Sequence, residues 1–563
     1  MKSKIVQMKT LMVALLIIFA AGTANAQAKP IKIIQNADTL ITTNKTWDAD
    51  TIYFMKGKVY VTNGATLTIQ PGTVVIGDTI KKGTLIITTG SKIHAVGTPS
   101  CPIVFTSSKA PGRRARGDWG GVILLGLAAT NNPGGTQYIE GLPQFALTQF
   151  GGGANPNTHD NSGEMEYVRI EFAGVALSPN NEINGLTFGA VGDGTTIDFV
   201  QVSYSNDDSF EWFGGSVNCK HLIAFRGIDD DFDTDNGYNG KLQFGMGLRD
   251  PLVADVSGSK AFESDNNATG TTDLPQTKAI FSNFTCTAGS DSATNSLFTA
   301  GAHIRRNSHL NIYNSIIMGF PEGLLIDGTT TQNNVLADTM VEHNIIGNKY
   351  APKNVVTTPL PDPGVVDRLQ NHADNRYFTG NTQVLLSNPY NLNNPNYRPA
   401  TGSPALTGAK FTSAGLSDPF FTKTTYVGAF AKQAAQNWAT IWVNFKPTTT
   451  DYSQVNANCT TAFAVANVVA AAAAEDAIAA KPEASVYPNP AKGSFNVSLT
   501  GFNGNVTIKV ANMGGSTVYN KQFTAGLSKT SINVNLEKAP AGLYFVTVTN
   551  GKQTTTQKVN IIQ

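Results

Sequence analysis

Charge is scarce in this chain. Only 14% of its 563 residues are Asp, Glu, Lys or Arg, and Lys plus Arg (41) nearly cancels Asp plus Glu (40), for a net charge of +1. Without a basic excess there is nothing to grip a phosphate backbone, so no nucleic-acid partner is expected. Cysteine is scarcer still. The four, Cys101, Cys219, Cys286 and Cys459, have no C-x-x-C spacing that would suggest zinc. So few in so long a chain do not make a disulfide framework. Export would permit a bridge, but buried apolar thiols are the first expectation. The seven histidines are scattered without metal-ligand spacing, and neither a G-x-S-x-G elbow nor a phosphate loop occurs. The one long apolar run, "LMVALLIIFAAG", is shorter than a comfortable membrane span. It follows Lys2, Lys4 and Lys9 and precedes "ANA" at 24–26, the layout of a cleaved signal peptide over residues 1–26. No transmembrane segment is expected in the mature chain.

What is abundant is glycine (54), with proline (26) and much Thr and Asn. That mixture suits many short strands and turns, an all-β chain of two or more domains. Residues 58–106 hold brief apolar runs, among them Leu67–Ile69, Val74–Ile76, Leu85–Ile87 and Ile103–Phe105, each followed by a glycine turn. Runs this short cannot form a free-standing sheet, but stacked in parallel they share one core, which is the logic of a β-solenoid. The stretches "ATLTIQPGTVV", "GTLIITTGSKIHAVGTPSCPIVFTSS" and "GDWGGVILLG" resemble the opening rungs of right-handed parallel β-helix proteins of the pectate-lyase-like fold. The likeness runs through "MEYVRIEFAG" and "LNIYNSIIMGFPEGLLIDG". We expect this domain over residues 27–450, with a short helix at Val365–Asn371 and final rungs at "NYRPATGSPALTGA" and "YVGAF". Residues 451–483 are alanine-rich and read as a linker.

Residues 484–563 show about seven alternating strands between Gly and Asn turns, a small β-sandwich. They resemble the C-terminal sorting domain of the type IX secretion system of Bacteroidetes. Tyr487-Pro488-Asn489-Pro490, Gly515, and Gly542-Leu543-Tyr544 within "AGLYFVTV" carry the match. The resemblance implies handling by the type IX machinery, and release or attachment to surface lipopolysaccharide, so a secreted or cell-surface location.

The densest chemistry is "GIDDDFDTDNGYNGK", residues 227–241. Aligned with "NDDSFEWFGG" and "KAFESDNN", it gives three Phe-acid pairs: Phe210-Glu211, Phe232-Asp233 and Phe262-Glu263. The Phe steps of about 20–30 residues match one solenoid turn. Alternation then sends Phe inward and the acid outward, a ladder of carboxylates ~4.8 Å apart. Like charges so placed repel unless a cation intervenes. Asp207, Asp208, Glu211, Asp229, Asp230, Asp231, Asp233, Asp235 and Glu263 are the candidate calcium ligands. The EF-hand pattern fails, since Asn236 and Leu242 occupy its glycine and glutamate places when counted from Asp231. A solvated turn, catalytic carboxylates, or pairing with Arg226, Lys241 or Arg249 are the alternatives. Trp212, Phe213 and Tyr238 are candidate ligand-stacking aromatics. The relatives with lyase activity use calcium and a basic residue, for which Arg305-Arg306 and Lys220-His221 are candidates. The expected task is adhesion or glycan binding, with a polysaccharide lyase or glycosidase as the alternative.

Overall fold

The computed structural model describes residues 28–562 except 179–180, 292–294, 349–352, 414, 455–458, 460–482, 501–503, 526–529 and 551–553. The expected signal peptide and most of the expected linker lie outside the described residues. The chain divides into two compact units at Cys459.

The first unit is a parallel β-helix. Eleven parallel strands, from Leu40–Ile41 to Val355–Thr358, stack into one sheet. The remaining wall is a sheet of seventeen strands. Its long strands, Gly163–Glu171, Thr196–Ser203, Asn218–Phe225, Lys241–Leu248 and Ile280–Thr287, each bend once. The bend falls on one residue of positive φ, in order Tyr167, Phe199, His221, Phe244 and Asn283. Each long strand thus serves two faces, and a coil has three.

Stacking in register lines the interior with columns. Leu186, Phe210, Phe232, Phe262, Ala302 and Leu324 pair in sequence from rung to rung and are fully buried. The Phe210–Phe232 and Phe232–Phe262 ring centroids are both 5.6 Å apart and the rings are stacked. Phe284 meets Phe232 edge-on from the opposite wall at 5.1 Å. It has room because Gly245 lies beneath it, where a Cβ would fall 1.9 Å from the ring. Aromatic pairs in these arrangements add to simple burial.

The helix expected at Val365–Asn371 spans Pro363–Asn371, capped by Asp362, whose Oδ1 accepts from the Gly364 and Val365 amides at 2.9 and 3.2 Å. The expected final rungs are not rungs. Leu386–Asn388 and Asn396–Pro399 form an antiparallel hairpin. The chain then runs back along the bent sheet toward its start. The Lys410 amide bonds Asn314 Oδ1, the Thr422 amide bonds Gln243 Oε1 and the Asn444 amide bonds Gln201 Oε1, all at 2.8–2.9 Å. Tyr452 donates to Glu171 and the Lys29 amide to Ser453 O. This segment lacks the alternating apolar run of a rung, and its prolines cannot donate to a ladder. The Asn and Gln side chains of the solenoid bind its backbone instead.

This strap ends in a disulfide between Cys101 and Cys459, Cα atoms 5.4 Å apart and 358 residues apart in sequence. The expectation of buried thiols therefore holds only for Cys219 and Cys286. Residues 451–454, assigned to the linker by composition, belong to the β-helix unit.

The second unit is a sandwich of a three-stranded and a five-stranded sheet around Val497, Val506, Ile508, Val534, Val546 and Val559. Asn489 ties its start to its end: the side-chain amide donates to Lys558 O and Oδ1 accepts from the Asn560 amide, both at 2.9 Å. Gly515 takes φ +80° in the turn between Gly504–Asn512 and Thr517–Ala525. Tyr544 donates to Pro540 O at 2.7 Å.

Peptide mapping of the unreduced protein is expected to recover a peptide containing Cys101 linked to one containing Cys459, with Cys219 and Cys286 alkylated only after unfolding. A free Cys459 in the native protein would contradict the strap.

Candidate functional site

Glu211 pairs with Asp233, Asp233 with Glu263 and Glu263 with His303 on successive rungs. The Phe-acid alignment read from the sequence is the register of the sheet. Among the described residues, three carboxylate groups bring oxygens within 4.8 Å of one another: Asp207, Asp208 and Asp229; Asp208, Glu211 and Asp233; Asp230, Asp233 and Glu263.

The ladder has a neutralised half. Lys260 Nζ lies 2.5 Å from Glu263 Oε2 and 3.3 Å from Asp230 Oδ2. Arg305 pairs with Glu263 and, at 2.8 Å, with Asp265; Arg306 reaches Asp265 at 2.7 Å. His303 lies 3.7 Å from Glu263 and 3.3 Å from Asp327. Burial works against charge on Lys260, yet Asp230, Glu263 and Asp229 hold its ammonium above the usual lysine range. Burial would raise Glu263, but Lys260 and Arg305 hold its carboxyl below its ordinary value.

The other half is acidic. Asp208, Glu211 and Asp233 are all pushed well up, first by burial and then by neighbouring acids, chiefly Asp230 and Asp233 for Asp208, Glu140 and Asp233 for Glu211, and Glu263 and Asp230 for Asp233. Asp208 Oδ1 accepts from the Asp230 amide at 2.8 Å. Asn184 donates to Glu211 and, at 3.3 Å, to Glu140, whose carboxyl burial pushes up to about 7. Asp233 Oδ1 and Asp229 Oδ1 are buried atoms with no hydrogen-bond partner. An all-oxygen donor set with orphaned carboxylate oxygens suits a hard cation.

Two of the nine candidate ligands stand apart. Asp231 is not on the ladder. It precedes the strand, where alternation does not yet apply, and turns into the interior to meet Arg249 at 2.9 Å, both side chains fully buried. Burial pushes Asp231 up to about 7 against the pull of Arg249. Asp235 lies one step beyond the carboxylate groups, with Oδ1 accepting from the Asn236 amide at 2.6 Å; burial and Asp265 push it up to about 7. Of the suggested partners, Arg249 does take an acid of the block, whereas Arg226 pairs with Asp250 and Lys241 with Asp418.

The three aromatic candidates are core residues. Phe210 points inward, so Trp212, two positions on, does as well. Trp212 stacks between Phe188 (5.5 Å) and Tyr238 (5.4 Å), both fully buried. The Tyr238 hydroxyl donates to Val217 O at 2.7 Å. Phe213 faces outward but is covered by Phe150.

Sequence reasoning missed Lys260, Arg305 and Arg306 as ladder cations and Glu140 and Asn184 as ladder neighbours. Extending the Phe-acid alignment one rung, to Ala302-His303, would have placed Arg305 just past the end of that rung's strand, Ala300–Ile304, two residues on from His303. The candidate lyase bases are engaged. Lys220 sits over the Phe420 ring at 4.7 Å, and His221 Nδ1 is 2.7 Å from Asp198. His221 belongs to a second column, at the bend, where Tyr167, Phe199, His221 and Phe244 stack at 4.5, 4.2 and 5.2 Å.

Residues 39–381 match the family described as pectate-lyase like β-helix domain, and residues 485–563 match the secretion system C-terminal sorting domain. The chain belongs to the pectate-lyase-like β-helix family. Its tail is of the type IX kind, which implies a Bacteroidetes source, and marks it for export to the cell surface or beyond. Among the described residues no helix is long and apolar enough to cross a membrane. No curated protein matches the chain. Among solved structures, the Dettilon tailspike protein is similar at 11% identity and TM-score 0.21, over 55% of this chain and 60% of the tailspike chain. At that level no functional inference passes from it.

The raised acids set a pH dependence. A carboxyl with a raised folded pKa holds more protons folded than unfolded between its unfolded value, about 4, and its folded value. Stability from these groups is therefore fullest at the acid end and is lost as pH rises through the folded pKa. For Glu140, Asp231 and Asp235 the window runs from about 4 to about 7. In chelator, the melting temperature of the β-helix is expected to fall between about pH 5 and about pH 8; a rise would contradict the assignment. Arg249→Met should cost about 3–5 kcal/mol by stranding Asp231, and Arg249→Met with Asp231→Leu much less, as denaturant melts would read.

Proposed function

We propose that this exported β-helix is a non-catalytic surface or secreted binding protein, acting in adhesion or glycan recognition, and that its ladder holds a calcium ion. The observation that carries the non-catalytic reading is the engagement of the charged groups. Glu263 and Asp265 are clamped by Lys260, Arg305 and Arg306, and Asp231 by Arg249. A glycosidase needs two carboxyl groups facing a sugar bond from opposite sides, and a lyase needs an unencumbered base. Here Glu211, Asp233 and Glu263 lie along one strand-to-strand column, Arg305 and Arg306 are tied to Glu263 and Asp265, Lys220 lies over Phe420 and His221 is bound to Asp198.

Calcium would be held by Asp208, Glu211 and Asp233, with Asp207 and Asp229 adjacent. What supports it is the buried, unpartnered Asp233 Oδ1 amid acids with raised pKa values. A bound cation would relieve the repulsion that parallel register imposes. Surface lipopolysaccharide and extracellular glycans are the partners this reading names.

Millimolar calcium should raise the melting temperature at about pH 8 well above that in chelator, and more than at about pH 5, because binding to the folded state alone stabilises it by mass action. Asp233→Asn should abolish most of that difference. An unchanged melting temperature would sink the calcium site. Incubation with neutral and acidic polysaccharides should release neither unsaturated products, read by ultraviolet absorbance, nor new reducing ends; either product would overturn the non-catalytic reading.

A further inference from the structure

The bend column and the returning strap enclose a groove of about 550 Å³, far from the acidic ladder in its chemistry. One wall is the stacked pair His221 and Phe244. The other comes from the strap, Tyr426, Gln433 and Gln436, and the two walls meet where Trp438 leans on His221, ring centroids 5.1 Å apart. The volume lies within the range of small-molecule sites, about 300–1,000 Å³.

Some of its polar atoms have no partner among the described residues. His221 commits Nδ1 to Asp198, and among the described residues its Nε2 has no partner. Among the described residues nothing bonds the Tyr426 hydroxyl, and burial raises its pKa to about 12, so it stays a donor. Gln433 is the N-cap and Gln436 the last residue of the one-turn 3-10 helix Ala434–Gln436, three positions apart. Both are exposed, and each amide offers donors and an acceptor. The aromatic wall is held in place from behind. Trp438 stacks on Phe430 at 4.8 Å and donates to Ala429 O at 2.8 Å.

The half-buried Tyr426 ring, which meets no other ring among the described residues, and the half-buried Trp438 beside uncharged hydrogen-bonding groups suit the pyranose ring, with an apolar C–H face and an edge of hydroxyls that donate and accept. Lys423 is the groove's only charged lining residue. We propose that this groove binds one or two residues of a neutral glycan. The proposal rests on the reading of the chain as a glycan binder and gives that reading a place and a sugar class.

The groove carries its own reporter. Of the five tryptophans, Trp47, Trp119, Trp212 and Trp442 are fully buried and Trp438 is not. The full chain is run by affinity electrophoresis through gels holding a soluble β-glucan, a mannan or polygalacturonate, and its tryptophan emission is titrated with each. At least one neutral polysaccharide is expected to retard it and shift the emission to the blue. Gln433→Ala with Gln436→Ala, exposed positions with no packing role, should weaken that binding by at least about fivefold. Neutral-glycan retardation with unchanged emission and an unaffected double variant would overturn the groove while leaving the glycan-binding reading standing. Retardation by polygalacturonate alone would overturn the neutral class. No retardation by any of the three would remove both.

Discussion

Everything in the β-helix depends on the in-register hydrogen bonding of parallel strands. Register repeats each position directly above itself, so whatever a residue does on one rung it does again beside its own kind. Inside, this is favourable: Phe210, Phe232 and Phe262 become a stack that the opposite wall closes with Phe281 and Phe284. Outside, it sets Glu211, Asp233 and Glu263 side by side. Both columns come from one constraint, and the second is the electrostatic consequence of the first.

The fold answers that consequence unevenly. Around Glu263 it supplies Lys260 and Arg305, and the charge is balanced. Around Glu211, among the described residues, it supplies Asn184 and a further acid, Glu140. Burial strengthens every interaction there, attractive or repulsive. The same repetition builds the bend, where left-handed residues stack their rings from Tyr167 to Phe244. Further along, Asn283 instead sends its side-chain amide to the carbonyls of Tyr426 and Gly428. The strap is held by such amides and ends in the bridge to Cys101.

The repeat was legible because its period shows in residue identity. Steps of 22 and 30 residues between Phe-acid pairs, and the glycine-punctuated apolar runs, correspond directly to rungs. The tail was legible for a different reason, several separated motifs in one order. The strap was not, since "NYRPATGSPALTGA" carries no period and the strap's backbone amides bond side chains 96 to 243 residues earlier. Asp231 was misplaced because a residue just outside a strand does not obey alternation. Trp212 could have been placed correctly: its parity with Phe210 already put it inside. Arg305 was missed as a ladder cation because the loop before Ala302 stretches that coil to 40 residues, beyond the expected turn length, whereas Lys260 stood in the aligned stretch "KAFESDNN" beside the acids.

Nearest-neighbour coupling along the Phe column tests this account most directly. In double-mutant cycles with Phe→Leu at Phe210, Phe232 and Phe262, read by denaturant unfolding, each adjacent pair should couple by about 0.5–1.5 kcal/mol. Phe210 and Phe262, two rungs apart, should add to within about 0.5 kcal/mol. Additive neighbours, or a Phe210–Phe262 coupling as large as theirs, would contradict the stacked register from which the acidic ladder follows.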